Sequence, residues 1–403
     1  MATTDRPRSV NRRVFLTATA AAALAATRRV RAAEPKKRRV AIIGHTGRGN
    51  YGHGIDTVWL EIPSVEIAAV ADADEAGLAA AVKRLRAPRG FNDYRKMLDE
   101  VRPELVGIGP RWLDQHRDMV VAAAERGVRG IYLEKPMCRT PAEADEMIAA
   151  CEKRGVKLAL AHQTRYSPKL KVIEDLIASG KLGTILEIRA RGKEDRRGGG
   201  EDLWVLGTHV LNLAHHFGGD PQWCFGRVLE GGRPIGKQDV VDGAEGIGPL
   251  AGDEVHAMYR LQNGLTAYFD SVRNGGGNPT RFGLTIYGSA GAIELGTGYL
   301  PPAHFLPDSS WSPGQTGSRW LPVTSAGVDQ PEPLADGGLH AGNLLAVTDL
   351  IAAVEEDRTP RSSIYEGRTA VEMISAVFES ERVGCPVEFP LLTRKNPLTL
   401  LKT

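Results

Sequence analysis

The sequence predicts an α/β protein, in which an N-terminal doubly wound parallel sheet precedes a C-terminal α+β domain with an open, mostly antiparallel sheet. Buried-strand patterns alternate with helix patterns up to residue 162, which is typical of a parallel sheet. Strand patterns dominate from residue 183 onward, and 403 residues are enough for two domains. A composition of 42% apolar and 25% charged residues excludes a disordered or fibrous chain, and four cysteines exclude a disulfide scaffold.

The first 39 residues carry most of the positive charge. They hold eleven Lys or Arg against two acids, so their net charge is +9 and that of the other 364 residues is −7. Arg12 and Arg13 precede an uncharged apolar run over 14–26. That run is shorter than the roughly 20 residues of a membrane-spanning helix, but it fits the core of a signal peptide.

We therefore expect residues 1–33 to be a signal peptide that resembles a twin-arginine signal, with the export machinery as partner and a periplasmic location. A basic, Ala-rich tail is the alternative. Removal of residues 1–33 leaves 370 residues with a charge of −4. We accordingly expect no nucleic-acid partner and no stable membrane span.

The first strand and the loop after it indicate a dinucleotide-binding domain. Residues 40–43 form a β-branched run typical of a buried parallel strand, and a glycine-rich loop over 44–54 follows it. A second strand over 65–71 stops at Asp72, which stands 28 residues after Gly44. This is near the spacing at which a Rossmann unit places a carboxylate on the adenosine ribose.

The glycine loop departs from the usual fingerprint. Its pattern from the strand end is Gly44-x-Thr46-x-x-Gly49, and a GxGxxG match begins three residues late, at Gly47. An ordinary glycine-rich connection is the alternative for this loop taken alone. Together with Asp72, the pattern predicts a phosphate cradle of Gly44, Thr46, Gly47 and Gly49. NAD is the expected cofactor because the Asp72 charge would repel a 2′-phosphate, and NADP is the alternative.

Further alternation completes the predicted Rossmann domain over 39–162. Strands are expected over 105–108, 130–133 and 156–161, with helices over 113–126 and 141–154 between them. Strands separated by helices of this length predict right-handed crossovers.

A strand that ends in Glu134-Lys135-Pro136 after a Rossmann unit is a diagnostic motif. With the other motifs, it resembles the glucose–fructose oxidoreductase/inositol dehydrogenase (Gfo/Idh/MocA) family from about residue 39 to the end of the chain. The other motifs are Pro110 with His116, Arg165-Tyr166-x-Pro168, and Glu379-Ser380-x-x-x-Gly384-x-Pro386-Val387.

The resemblance implies roles for several of these residues. Lys135 would lie between the nicotinamide and the substrate hydroxyl, where a cation stabilises an alkoxide-like transition state. An ordinary ion pair at the strand end is the alternative for Lys135. Pro110 and Glu134 are expected at the cofactor, and Arg165 and Tyr166 at the substrate.

The second catalytic element of the family, Asp-x-Gly-x-His, is incomplete in this sequence. Gly207 and His209 are present, but Val205 replaces the acid and cannot relay a proton. If residues 202–217 form one helix, Asp202 and His209 lie within about 20° of one face. We predict catalytic roles for both; a helix cap is the alternative for Asp202 and a core histidine for His209. No His stands four residues from His209, so no metal site is expected.

The C-terminal domain is predicted over 163–403. Strands are expected over 184–191, 222–229, 254–261, 265–272 and 281–287, with a hairpin turn at Asn263-Gly264 and another over 288–291. Helices are expected over 343–355 and 366–379. Residues 297–338 show no periodicity, and their Trp311 and Trp320 either stack on a sugar ring or pin a surface loop. One sheet face would remain free to pair with a second subunit, so a homo-oligomer is expected.

The leading functional hypothesis is an exported NAD(P)-dependent oxidoreductase that acts on a hydroxyl of a sugar, sugar acid or cyclitol. Because free nicotinamide cofactor is scarce outside the cytoplasm, we expect a tightly bound cofactor that is recycled within the site. An NAD-dependent glycoside hydrolase, lyase or epimerase that uses transient oxidation is the first alternative. A non-catalytic sugar-binding protein of the same fold is the second.

Overall fold

The structure is a computed structural model that describes Met1 and residues 37–402. Apart from Met1, the predicted leader over 1–33 lies outside the described residues. Within the described part of the chain, no helix is long and apolar enough to cross a membrane.

The N-terminal half forms a parallel sheet. Its six strands, as far as residues 37–402 show, lie in the order β3-β2-β1-β4-β5-β6, and every pairing is parallel. The order reverses between β1 and β4, as in a doubly wound fold. The strands are β1 Arg38–Ile43, β2 Val65–Ala71, β3 Gly90–Phe91, β4 Leu105–Ile108, β5 Gly130–Leu133 and β6 Lys157–Leu160.

Helices cover this sheet, and local signals set their ends. The helices of this half are α1 Glu75–Leu85, α2 Tyr94–Val101, α3 His116–Glu125 and α4 Pro141–Arg154. In α4 the Thr140 side chain accepts a hydrogen bond from the Glu143 N–H, Pro141 occupies the first turn, and Gly155 ends the helix in a left-handed conformation. These features match the predicted bounds of this helix.

The C-terminal half contains a mixed, mostly antiparallel sheet of eleven strands within the described residues. Its order is β18-β17-β16-β15-β14-β7-β13-β12-β8-β19, with β9 on β8, and only β7 and β13 pair in parallel. The strands are β7 Ile185–Arg191, β8 Pro221–Glu230, β9 Arg233–Pro234, β12 Glu254–Leu261, β13 Thr266–Val272, β14 Gly283–Gly288, β15 Gly291–Leu295, β16 Ala303–Leu306, β17 Leu321–Thr324, β18 Gly327–Val328 and β19 Val387–Glu388. The predicted fold class is confirmed.

A separate two-stranded hairpin and six helices complete this half, counted over the described residues. The hairpin strands are β10 Val241–Gly243 and β11 Gly248–Leu250. The helices are α5 Pro168–Ala178, α6 Gly200–Val205, α7 Gly207–Gly218, α8 Pro313–Thr316, α9 Gly338–Glu356 and α10 Ile364–Val383. Helix α10 packs against β8 and α7 and covers one face of the large sheet.

Helix α9 returns to the N-terminal half. Its Ala346, Val347 and Leu350 belong to the same buried cluster as Val40 and Ile42 of β1. A segment late in the chain therefore completes the core of the parallel sheet.

The glycine loop leads into a five-residue 3-10 helix, Thr57–Glu61. One expectation about local structure is corrected. The region 297–338, which shows no periodicity, adds β16, β17 and β18 to the large sheet. Trp311 pins this region, since its Nε1–H donates to the Gly288 carbonyl at 2.8 Å and its ring lies 4.8 Å from that of Tyr287.

Candidate active site

The candidate site lies at the carboxyl edge of the parallel sheet, where the strand order reverses between β1 and β4. Loops after β1, β2, β4 and β5 converge there. In open α/β sheets this crevice is the usual place for a ligand.

The glycine loop bends tightly against its neighbours. Gly47 has a φ of +82°, and a Cβ there would meet nothing within 4 Å. Gly49 has a φ of +86°, and a Cβ there would lie 2.3 Å from the Arg111 backbone nitrogen. A Cβ on Gly44 would likewise meet the Tyr51 ring. The loop thus needs glycine at these positions and leaves Gly47 facing open space.

Arg48 supplies the positive charge of this loop. Its guanidinium lies 4.3 Å from the centre of the Trp112 ring and forms an ion pair with Asp114. No long helix follows the loop, so a pyrophosphate here would meet the charge of Arg48 rather than a helix N-terminus. The N–H groups of Thr46, Gly47 and Arg48 already donate hydrogen bonds within the protein. With the position of the crevice, the Arg48 charge fits a dinucleotide.

Asp72 is buried inside the protein, and other residues of the protein bond to its carboxylate. Its side chain is 1% exposed and accepts hydrogen bonds from the Thr46 N–H at 3.0 Å, the Thr46 hydroxyl at 2.7 Å, the Tyr51 hydroxyl at 2.9 Å and the Asp74 N–H at 3.0 Å. Burial raises the pKa of Tyr51, so its hydroxyl remains a donor. A ribose contact requires one of these donors to leave, and it stays a prediction.

Pro110 and Pro136 are joined through a buried histidine. The His116 ring lies with Nε2 at 2.7 Å from the Pro110 carbonyl oxygen and Nδ1 at 3.0 Å from that of Pro136. This imidazole ties the loop after β4 to the loop after β5. The Pro110 carbonyl oxygen therefore already has a hydrogen-bond partner within the protein.

Lys135 connects the two halves of the chain. It is 6% exposed, and its ammonium donates a hydrogen bond to the Val205 backbone carbonyl at 3.0 Å. Burial lowers the pKa of Lys135, while the charge of Glu134 acts in the opposite direction. The residue that replaces the family's acid thus contacts the lysine through its main chain.

Two histidines pack beside Lys135. The His209 and His162 rings lie edge to face with their centres 5.4 Å apart. Burial lowers the pKa of His162 to about 3 and that of His209 well below its ordinary value, and the Lys135 charge adds to both effects. Both imidazoles are therefore neutral near pH 7.

Sequence reasoning did not identify His162. Its Nε2 lies 3.1 Å from the Thr208 hydroxyl and its Nδ1 lies 3.4 Å from that of Ser362. His162 follows β6 as Lys135 follows β5, so a polar residue just beyond a buried strand was the available signal.

The pairing of Asp202 with His209 rested on one helix over 202–217, and that expectation is wrong. The segment breaks at Leu206 into α6 and α7. Asp202 is fully buried and accepts hydrogen bonds from the Glu194 N–H at 2.9 Å and the Ser271 hydroxyl at 2.6 Å. It is not the cap of α6 either, since Gly199 holds that position. These contacts anchor the chain before α6.

Arg165 and Tyr166 are buried in contacts within the protein. Arg165 donates to Glu366 at 2.8 Å and to Asn212 at 3.3 Å. The Tyr166 hydroxyl donates to Asp349 at 3.4 Å, and its ring belongs to the cluster that includes α9. The structure does not bring Tyr166 to Lys135, and a substrate contact for either residue stays a prediction.

The β10–β11 hairpin reaches the crevice from the C-terminal half. Glu245 at its tip has a φ of +54° and lies 3.5 Å from Arg111, in the loop after β4. A Cβ on Gly246 would lie 2.7 Å from Asp114. The hairpin tip therefore sits against the same loop that contacts Gly49. Over residues 37–402, no three His, Cys, Asp or Glu side chains are grouped to hold a metal ion.

Comparisons with known proteins agree on the family. Residues 38–162 match a family described as "Oxidoreductase family, NAD-binding Rossmann fold", and residues 170–294 match the "GFO/IDH/MocA C-terminal domain". The D-apiose dehydrogenase of Paraburkholderia graminis is 32% identical over 358 residues, which cover 84% of this chain and 87% of that protein. The levoglucosan dehydrogenase of Pseudarthrobacter phenanthrenivorans is 23% identical, with 80% and 90% covered.

Solved structures share the fold. Levoglucosan dehydrogenase in complex with NADH superposes with a TM-score of 0.71 at 21% identity, covering 89% of this chain and all of the other. An aldose-aldose oxidoreductase from Caulobacter crescentus, complexed with glycerol, gives a TM-score of 0.65 at 19% identity, with 88% and 100% covered.

Proposed function

Because the chain belongs to the Gfo/Idh/MocA oxidoreductase family, we propose that it is an exported NAD(P)-dependent dehydrogenase that oxidises a hydroxyl of a sugar, sugar acid or cyclitol. The observation that carries this proposal is Lys135, a buried ammonium just after β5 that donates a hydrogen bond to the carbonyl of Val205, the last residue of α6. A lysine in this position stabilises negative charge on a substrate oxygen.

The remaining protons of Lys135 explain how it acts. An ammonium has three donors, and the Val205 carbonyl takes one of them. A substrate hydroxyl can accept from another, so that charge developing on its oxygen faces a cation in a site with little water. Because burial lowers the pKa of Lys135, this residue also gives up a proton more readily than an exposed lysine.

The cofactor would be held at the crevice beside the glycine loop. When bound, the nicotinamide dinucleotide supplies the hydride acceptor. The Arg48 charge would meet its phosphates, and the open space at Gly47 and the left-handed turn at Gly49 would let them approach the loop. NAD is the favoured form by the family description, while one relative, from Haloferax volcanii, is named as an NADP(+) enzyme.

Export and a recycled cofactor are part of the proposal. The Arg12-Arg13 pair before an uncharged run supports a twin-arginine signal and a periplasmic location. A cofactor that stays bound outside the cytoplasm must be reoxidised in place, for example by a second sugar. The name of the Caulobacter crescentus relative describes oxidoreduction between two aldoses.

The valine at position 205 is as compatible with an alternative function as with net dehydrogenation. Without an acid there, an enzyme could oxidise a hydroxyl transiently, carry out elimination or epimerisation, and return the hydride. Such a glycoside hydrolase, lyase or epimerase would show no net change in the bound cofactor. The third possibility, a non-catalytic sugar-binding protein, would bind sugar without any change in cofactor absorbance.

A homo-oligomer is also proposed, through the open face of the large sheet. Phe225, Met258 and Tyr268 stand side by side in register across β8, β12 and β13 and are half-buried on that face. Light scattering of the purified protein should report more than one subunit. Met258→Lys should reduce the measured mass to that of a monomer.

The function is tested on the purified mature protein. We expect NAD or NADP to be released on denaturation and identified by mass spectrometry. Levoglucosan, D-apiose and D-xylose are then added in turn, while the nicotinamide absorbance and the products are followed. Net reduction of the cofactor, or an oxidised sugar formed together with a reduced one, supports a dehydrogenase. A cleaved, dehydrated or epimerised product without net reduction supports the alternative. Absence of any product with a broad sugar panel would contradict both.

A further inference from the structure

The Glu134 carboxylate is a buried charged group of the site to which the proposed function gives no role. Glu134 lies at the end of β5 and is completely buried. One of its oxygens, Oε1, bonds to Nδ1 of His53, and the other, Oε2, has no hydrogen-bond partner among the residues that the structure describes. A buried carboxylate oxygen without a partner is costly, so its retention suggests a use.

Buried groups bond to both the side chain and the backbone carbonyl of His53. Its carbonyl accepts a hydrogen bond from the Asn343 amide on α9 at 2.8 Å. Asn343 in turn accepts from the Tyr132 hydroxyl at 2.7 Å and from the Gln163 amide at 2.9 Å. The His53 side chain is 33% exposed, and no described residue is bonded to its Nε2. The imidazole is thus fixed by Nδ1 and presents Nε2 to accessible space.

We propose that His53 is the proton acceptor of this reaction centre and that Glu134 positions it, in place of the acid missing at residue 205. The proposal rests on the dehydrogenase function proposed above. The arrangement is that of a histidine oriented by a buried carboxylate on its other nitrogen.

His209 is the competing proton acceptor, and its surroundings are less suitable. An imidazolium at His209 would face the Lys135 ammonium and the His162 ring, whereas one at His53 would face the Glu134 carboxylate. A Cβ on Gly52, next to His53, would lie 2.6 Å from the Gly109 carbonyl oxygen after β4 and 3.1 Å from the Glu134 side chain, so the loop that carries His53 packs on the strand ends that carry Lys135. Among the described residues, the titratable side chain bonded to His53 is Glu134 after β5, while α9 presents the neutral Asn343.

The proposed step balances as follows for an alcohol. The hydroxyl proton passes to Nε2 of His53, and the hydride on the same carbon leaves to the oxidised nicotinamide dinucleotide. The O–H and C–H bonds break as the C=O bond forms. The resulting imidazolium keeps its Nδ1–H on Glu134, and it returns the proton to solvent or to a second substrate.

The first test reads the imidazole directly and needs no substrate. Histidine-selective ¹⁵N NMR of the mature protein should show His53 with its neutral-state proton on Nδ1, assigned by loss of the signal in His53→Gln. In Glu134→Gln this tautomer preference should change. A wild-type His53 protonated on Nε2, or an unchanged signal in Glu134→Gln, would overturn the proposal.

The second test uses chemical rescue. His53→Ala should lower kcat by about 100- to 10,000-fold, with the sugar KM and the affinity for NADH, measured by fluorescence, close to wild type. Added imidazole should restore part of kcat. The control is His340→Ala, which removes another histidine–carboxylate pair, with Glu61 at the surface, and should keep wild-type turnover.

The outcomes separate the two proposals. Wild-type kcat in His53→Ala, or a loss that imidazole does not restore, would overturn the role of His53. If the wild-type protein turns over no sugar at all, the proposed function fails, and the NMR spectra decide whether the His53–Glu134 pair exists.

Discussion

Two buried carboxylates lie at the same edge of the parallel sheet, and they differ in how their oxygens are used. Asp72 follows β2 and is 1% exposed, and donors from Thr46, Tyr51 and Asp74 fill its oxygens. Glu134 follows β5 and is also fully buried, yet Oε2 has no partner among the described residues.

The difference separates a folding role from a chemical role. A buried acid whose oxygens are all satisfied holds loops together and has no acceptor left for a ligand. A buried acid with an open oxygen, next to the Lys135 ammonium and a partly exposed histidine, has capacity left for a reaction. Substitution of Asp72 should therefore mainly lower the free energy of unfolding. Substitutions at Glu134 and its neighbour Lys135 should mainly lower the turnover number.

The largest effect is expected from Lys135→Met, which keeps the bulk of the side chain and removes its charge. We expect kcat to fall by about 100- to 10,000-fold, while the free energy of unfolding changes by less than about 1.5 kcal/mol. Steady-state kinetics and urea unfolding measure the two. Lys169→Met is a matched control, since this buried lysine also donates to a carbonyl, that of Pro301 at 2.9 Å. If Lys135→Met retains wild-type activity, the surroundings of Glu134 and Lys135 have no special role in turnover, and the proposed difference from Asp72 is wrong.

Asp72→Ala should act on folding. Loss of the carboxylate leaves the Thr46 N–H and the Tyr51 hydroxyl without an acceptor, so the free energy of unfolding should fall by about 3 kcal/mol. Asp72→Asn, which keeps one acceptor oxygen, should lose less. Urea unfolding and NADH titration are measured in parallel. Wild-type stability with lost NADH affinity would instead make Asp72 a cofactor ligand and reverse the comparison.

His162, which packs beside Lys135, should make the free energy of unfolding depend on pH. Its pKa of about 3 in the folded protein lies below the roughly 6.5 of an unfolded chain, so the unfolded state binds the proton first as the pH falls. Stability is therefore lost on going down from about pH 6.5 towards 3, by about 1.6 kcal/mol between 6.5 and 5. Urea unfolding across this range should show a smaller loss in His162→Gln, and the same loss as wild type in the surface control His340→Gln.

Tyr166→Phe should have the smallest effect. It removes the hydroxyl that bonds to Asp349 and accepts from the Ser362 N–H, so we expect about 1 kcal/mol of lost stability and an unchanged sugar KM. A raised KM with unchanged stability would place Tyr166 at the substrate after all.

Much of the fold followed from local patterns. The helix at 141–154 was predictable because Thr140, Pro141 and Gly155 mark its ends, and Asn263-Gly264 marked the hairpin between β12 and β13. The strands β16 to β18, at one end of the large sheet, were not predictable, because short strands carry few alternating positions. The break at Leu206 was missed because both helices around it continue the same helical pattern.

The residues of the candidate site likewise fall into those that the sequence identified and those that only the structure revealed. Glu134, Lys135 and His209 were identifiable from motifs, while His53 and His162 became candidates only when the fold brought them to the same edge. The role of Asp202 could not be inferred because its partners, the Glu194 N–H and Ser271, are 8 and 69 positions away in the chain.

The sequence by itself determined the alternation of strands and helices up to residue 162, the family motifs and the missing acid at residue 205, because each depends on residues that are close in the chain. Tertiary structure alone decided which buried polar groups are satisfied. Whether a carboxylate such as Asp72 or Glu134 keeps a free oxygen depends on donors from other segments, and those contacts exist only after the sheet edge, α9 and the C-terminal half have packed together.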